Sequence, residues 1–164
     1  MPMRTGLLAT LAVLAACRGT PGDARRFPGV QERGAVAMGV DQYTSSHVFE
    51  PLPDGGRIVL QRDSADAAGT AVIREHLQGI AAAFAAGDFR LPGFVHAQEV
   101  PGTAVMAARR AAIVYTADTL PRGGQLRIRT ADPEAVRAVH EFLAFQRADH
   151  HAGSHLHGDS ASAP

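Results

Sequence analysis

Pro53-Asp54-Gly55-Gly56-Arg57-Ile58-Val59-Leu60 returns in altered form as Pro121-Arg122-Gly123-Gly124-Gln125-Leu126-Arg127-Ile128. Each stretch is a turn followed by an alternating segment, with Ile58/Leu60 and Leu126/Ile128 facing one way, the period of a half-buried strand. Pro-x-Gly-Gly fits a tight hairpin, since Pro presets the entry and Gly supplies a positive φ. Strand candidates lie upstream of each turn, from Tyr43 to Leu52 and from Ala111 to Thr116. A helix candidate lies downstream of each. The first starts near Asp66 or Thr70 and runs to Ala86, with Gly87 as its C-terminal cap. The second opens with Asp132-Pro133-Glu134, an N-cap, a first-turn Pro and a first-turn acid, and runs to Ala148.

Apolar arcs support both helices: Val72, Ile73, Leu77, Ile80 and Phe84 in one, Val136, Val139, Phe142 and Leu143 in the other. A duplicated β-β-α unit follows. The expected fold is α+β, a two-layer sandwich of a four-stranded antiparallel sheet with two helices on one face. A short extra strand is expected around Val36 to Val40. Residues 88–105, with Pro92, Gly93, Pro101 and Gly102, read as a long loop between the halves.

The chain begins with one positive charge at Arg4, an apolar stretch from Gly6 to Leu14, and then Leu14-Ala15-Ala16-Cys17. This is the layout of an export signal, too short to span a bilayer as a helix. Leu-Ala-Ala-Cys resembles the lipobox of bacterial lipoproteins, which implies lipidation of Cys17, the only cysteine. Residues 1–16 are then signal peptide, 17–34 a lipidated cysteine and flexible tether, 35–148 a single domain, and 149–164 a disordered tail. The expected location is outside the cytoplasm, anchored to the bacterial membrane. The expected partners are that membrane and an unidentified envelope protein.

Sixteen basic residues, all Arg, balance sixteen acidic ones and are scattered along the chain. Nucleic acid and polybasic membrane contacts need clustered positive charge, so neither is expected. Absence of Trp argues against a stacking platform for bases or sugars. With Cys17 lipidated no thiol remains, so a metal site must use His, Met, carboxylate or backbone groups.

Two histidines, His76 and His140, fall on the helical arcs of the two copies and read as symmetry mates, hence central ligands. Met38 and Met106 share the spacing of the two Gly-Gly pairs, Gly55-Gly56 and Gly123-Gly124. Imidazole with thioether and no thiolate suits copper, Cu(I) above all, better than zinc or magnesium. His47, on an expected strand, and His96, in the expected loop, are further ligand candidates. The tail residues His150, His151, His155 and His157 read as a loose metal collector. Each of these residues has an ordinary alternative: imidazoles satisfied within a core, and methionines as core filler. No catalytic residue is assigned and no organic cofactor is expected. The chain has no Gly-x-Ser-x-Gly elbow, phosphate-binding Gly-rich loop, His-Glu-x-x-His helix or Cys-x-x-Cys pair.

Met38-Gly39-Val40-Asp41-Gln42, His47-Val48-Phe49, Phe84-Ala85-Ala86-Gly87-Asp88-Phe89, Phe94-Val95-His96, Pro101-Gly102, Val105-Met106, Arg122-Gly123-Gly124 and His140-Glu141-Phe142-Leu143-Ala144-Phe145-Gln146 carry a resemblance. Together they resemble a family of small exported bacterial proteins of unknown function. Some such proteins are labelled aspartate carbamoyltransferase. That enzyme's Ser-Thr-Arg-Thr phosphate-binding motif is missing here, and the domain is about half the size expected. The resemblance therefore implies no mechanism. Two readings remain: a lipid-anchored envelope protein that binds a transition metal, copper favoured, for buffering, sensing or delivery, and a metal-free interaction or structural module. A hydrolase or transferase using His96 and Glu99 is a distant third.

Overall fold

The computed structural model describes residues 23–39, 41 and 44–150. Its elements are α1 (Asp23–Met38), β1 (Ser45–Leu52), β2 (Gly55–Arg62), α2 (Ala67–Ala85), α3 (Arg90–His96), α4 (Thr103–Ala108), β3 (Ile113–Leu120), β4 (Gly123–Thr130) and α5 (Pro133–Asp149). The four strands form one antiparallel sheet in the order β1-β2-β4-β3. Helices α2 and α5 pack on one face of it. The α+β sandwich expected from the repeat is the fold observed.

The repeat is sharper in space than in sequence. Strand β1 maps onto β3 and β2 onto β4 with one constant offset, Ser45 onto Ile113 and Gly55 onto Gly123, kept from end to end. In the central pair, Ile58 stands opposite its own equivalent, Leu126. Gly56 faces Ile128 and Leu60 faces Gly124, the symmetric exchange that a twofold axis between Ile58 and Leu126 requires. The helices cross over: α2 lies on β3 and β4, whereas α5 lies on β1 and β2. Neither β-β-α unit can therefore bury its own helix without the other.

Glycine makes this interlock possible, though not as a turn residue. The hairpin turns are Pro53-Asp54 and Pro121-Arg122, and both Gly-Gly pairs lie in the strands that follow. A Cβ on Gly56 would stand 2.2 Å from Leu143 Cδ1 of α5, and one on Gly124 would stand 2.9 Å from Leu77 Cδ1 of α2. A Cβ on Gly55 would meet Ile128 O at 2.3 Å, and one on Gly123 would meet Leu60 O at 2.0 Å. Bare backbone lets the central strands and both helices approach together. Asp66 and Asp132 cap the two helices by accepting from Gly69 N and from Glu134 N and Ala135 N. Inside, Ile58, Leu60, Ile73, Leu77, Phe84, Met106, Leu126, Ile128, Val139, Phe142 and Leu143 form the core. The opposite sheet face is solvated. It carries Val48 and Val114 and the ion pairs Arg57–Glu50 and Arg127–Asp54.

Three expectations change. The helix α1 occupies residues 23–38, replacing both the second half of the tether and the strand at Val36 to Val40. Its buried residues Val30, Gln31, Gly34 and Met38 recur at helical spacing, and packing against α3 outweighs the Pro and Gly content. The loop at 88–105 contains α3 and the start of α4, each too short for periodicity to reveal. Finally, α5 continues to Asp149, with His150 as its C-cap. The signal peptide, Cys17, His151, His155 and His157 lie outside the described residues.

Gly102 (φ +81°) opens α4 where a Cβ would meet Ala138 O at 2.1 Å, whereas Gly79 on α2 has nothing within 4 Å. Gly102→Ala should destabilise the fold by at least about 1–3 kcal/mol through backbone strain and overlap. Gly79→Ala should stabilise it by about 0.5–1 kcal/mol through helix propensity. Denaturant unfolding of both variants measures this contrast.

Candidate functional site

The caps Asp66 and Asp132 set the true helix alignment, which is offset slightly less than the strands are. On that alignment His76 corresponds to Phe142, and His140 corresponds to Arg74. The two histidines are not symmetry mates. Their positions confirm it: His140 Nε2 bonds Leu52 O at 2.9 Å, and Arg74 Nη2 donates to Leu120 O at 2.6 Å. Leu52 and Leu120 are equivalent residues closing the two hairpins. His140 is thus a hairpin clamp, and it is not among the residues lining the cavity where His76 lies. Pairing the helices by their histidines set them two residues out of register with the alignment that the caps give.

That cavity, about 90 Å³, lies between the sheet and helices α1, α2, α3 and α5. His47, His76, His96 and His150 line it, together with Met38, Gln146 and an otherwise apolar wall that includes Phe49, Leu60, Ile80 and Phe84. Of the two methionines, Met38 reaches this cavity, while Met106 is wholly buried in the apolar core. The histidine rings touch edgewise. Ring centroids are 5.7 Å apart for His47 and His150, and 5.0 Å apart for His96 and His150.

Symmetry gives this cluster its meaning. His47 corresponds to Tyr115 on the strand offset, and His150 corresponds to Phe84 on the helix offset. In the second half Tyr115 and Phe84 make an aromatic edge contact at 5.8 Å, and Phe84 also packs on Phe89 and Phe142. The same scaffold position holds aromatic packing on one side and paired imidazoles around a cavity on the other. The fold itself does not demand imidazoles there. Departures of this kind concentrate at functional sites.

Burial decides the charge state. Desolvation lowers the His47 pKa from 6.5 to about 4, with Asp63 opposing and His76 assisting. It lowers His150 to about 3, with His47 and His96 adding to the effect, and it lowers His76 as well. All three imidazoles are therefore neutral at pH 7, the form that ligates metals. His150 Nδ1 is buried without a hydrogen-bond partner. A buried nitrogen left unpaired costs about 1–3 kcal/mol, and a ligand would recover that.

His96 is differently placed. It sits on α3 with 4% of its surface exposed, where Nδ1 is hydrogen-bonded to Asp149 Oδ2 at 2.5 Å and Nε2 to Gln146 Oε1 at 2.9 Å. Both ring nitrogens are engaged, so His96 holds the C-terminal turn of α5, and with it His150, against the cavity. Glu99 lines a separate hollow with Gly102 and Glu141, so it does not partner His96 there. Among the described residues, no three His, Cys, Asp or Glu side chains converge into a metal-holding group. A site here must use two imidazoles and a different third donor. His150 was legible in sequence only as a tail residue, because the Phe84 equivalence appears only after the helices are aligned by their caps.

The depressed pKa values make stability depend on pH. His47 and His150 bind protons more readily in the unfolded chain than in the folded one. Their contribution is intact above about pH 6.5 and is lost as the pH falls toward about 4 for His47 and about 3 for His150. The slope is up to about 1.4 kcal/mol per pH unit for each group. Urea midpoints of the wild-type chain should hold from pH 7.5 to about pH 6.5 and then fall steadily down to pH 4. They should fall less in His47→Tyr/His150→Phe, which copies the second half. No family model, curated protein or solved structure matches this chain.

Proposed function

We propose that the protein binds a transition metal in the histidine-lined cavity, as a lipid-anchored protein of the bacterial envelope that buffers, senses or delivers the ion. The observation that carries this reading is the replacement of the Tyr115–Phe84 contact by the His47–His150 pair, with His150 Nδ1 buried and unpartnered. Neutral imidazoles in an apolar enclosure bind a d-block ion without competition from protons at pH 7. His47 and His150 are the principal ligands, and His76 stands on the same wall of the cavity. Copper is favoured over zinc, since a site with few imidazoles, no thiolate and no carboxylate does not offer zinc its usual four donors. His96 serves as a positioning residue, while His140 and Met106 support the fold.

Anchoring rests on Leu14-Ala15-Ala16-Cys17, read as a lipobox. Among the described residues no helix is long and apolar enough to cross a membrane. Cys17→Ala should release the protein from the membrane fraction and abolish fatty-acid labelling.

The competing reading is a metal-free module. It is favoured by the engagement of His96 and His140 in hydrogen bonds within the protein. One experiment separates the two. Full chains carrying His151→Ala, His155→Ala and His157→Ala remove the tail's loose binding, and are titrated with Cu(I) under anaerobic conditions and with Zn(II). The metal reading expects one tightly bound copper per chain, lost in a further His47→Tyr/His150→Phe variant that remains folded. Equal binding by that variant, or no binding by its parent, overturns the assignment. His140→Ala should leave metal affinity unchanged and lower stability by about 1 kcal/mol through its lost hydrogen bond.

A further inference from the structure

Helix α1 contributes three residues to the cavity wall: Gly34, Ala37 and Met38. Only Met38 among them carries a donor atom. The small residues bring the helix backbone close, and Met38 ends the helix just before Gly39, whose φ of +76° closes it. Arg33 Nε donates to Val95 O at 2.7 Å, and Val30 and Met38 are buried, but Gln31 Oε1 is buried with no partner. An orphaned amide oxygen of this kind opposes docking. Met38 has an internal control in Met106, which stands at the equivalent place before β3, on the strand offset, and shares the apolar core cluster with Met38 but does not line the cavity.

Resting on the metal reading above, we infer that Met38 is the third ligand of the site, so that its thioether selects Cu(I) and copper binding clamps α1 onto the domain. A thioether is a soft donor that suits Cu(I) and adds little for Zn(II) or Ni(II). The consequence is coupling. Metal and α1 seating stabilise one another by the same factor, because each favours the conformation in which Met38 reaches the cavity. The ion thereby acts on the helix that follows the expected tether, which gives occupancy a readable output toward the membrane side.

The test uses the full chain, with the three tail histidines replaced as above, and its Met38→Leu variant, a swap close in volume that keeps the wall apolar. Cu(I) affinity is measured by anaerobic competition with a chromogenic chelator, and Zn(II) affinity is measured in parallel. Backbone amide exchange over residues 30–39 is followed with and without Cu(I). The expected result is a loss of at least tenfold in Cu(I) affinity in Met38→Leu, with Zn(II) changed less than twofold. Cu(I) should also slow exchange in α1 at least tenfold in the parent chain and not in the variant. Unchanged Cu(I) affinity in Met38→Leu, or exchange in α1 indifferent to copper, overturns the inference while leaving the imidazole site standing. If the parent chain binds no Cu(I), both fall. Metal-free exchange in β2 and β4 is read in both proteins to confirm that Met38→Leu is folded.

Discussion

The close approach of β2 and β4 beneath two crossing helices is the constraint on which the rest of the structure depends. Gly56 and Gly124 leave room for Leu143 and Leu77, and Gly55 and Gly123 let each strand come against the carbonyl of its neighbour. A Cβ at any of these four places would meet an atom at under 3.0 Å. Because the central register sets Ile58 against Leu126, the same close contacts occur twice about one axis. Each helix covers the other unit's hairpin, so the two halves share one core and fold as one cooperative body.

Near-symmetry of this kind supplies its own control. Equivalent positions share backbone environment, so a difference in side chain is a difference in chemistry. Arg74 and His140 show the conservative case: each reaches across to the carbonyl of the leucine that closes the opposite hairpin. Tyr115 with Phe84, against His47 with His150, shows the divergent case. An aromatic pair has become a neutral, desolvated imidazole pair beside a cavity. Tyr115 Oη and His150 Nδ1 are each buried without a partner, so what the change introduces is ring nitrogens able to ligate an ion rather than a new unsatisfied polar group.

Much of the fold was legible because hydrophobic alternation and Pro-x-Gly-Gly are local signals. The strands emerged from Ile58/Leu60 and Leu126/Ile128, and the last helix from Asp132-Pro133-Glu134. Helix α1 was hidden by its Gly and Pro content, since its helical state rests on contacts with α3 that no local pattern encodes. The candidate site was legible in part. His47, His76, His96 and Met38 were singled out by residue type and do line one cavity. His140 was drawn in by a misaligned repeat, and Met106 by an offset that is real but structural.

The sequence by itself determined the duplicated sheet-and-helix architecture, because turn residues, alternating strands and helix caps act over short spans of chain. It also determined which donor chemistry is available, by holding a single cysteine and eight histidines. Only the tertiary structure decided which histidines meet. His47 and His150 stand far apart along the chain and come together because α5 crosses onto the first hairpin. Their neutrality is likewise a tertiary property, since desolvation depends on what surrounds a ring in space and not on its neighbours along the chain.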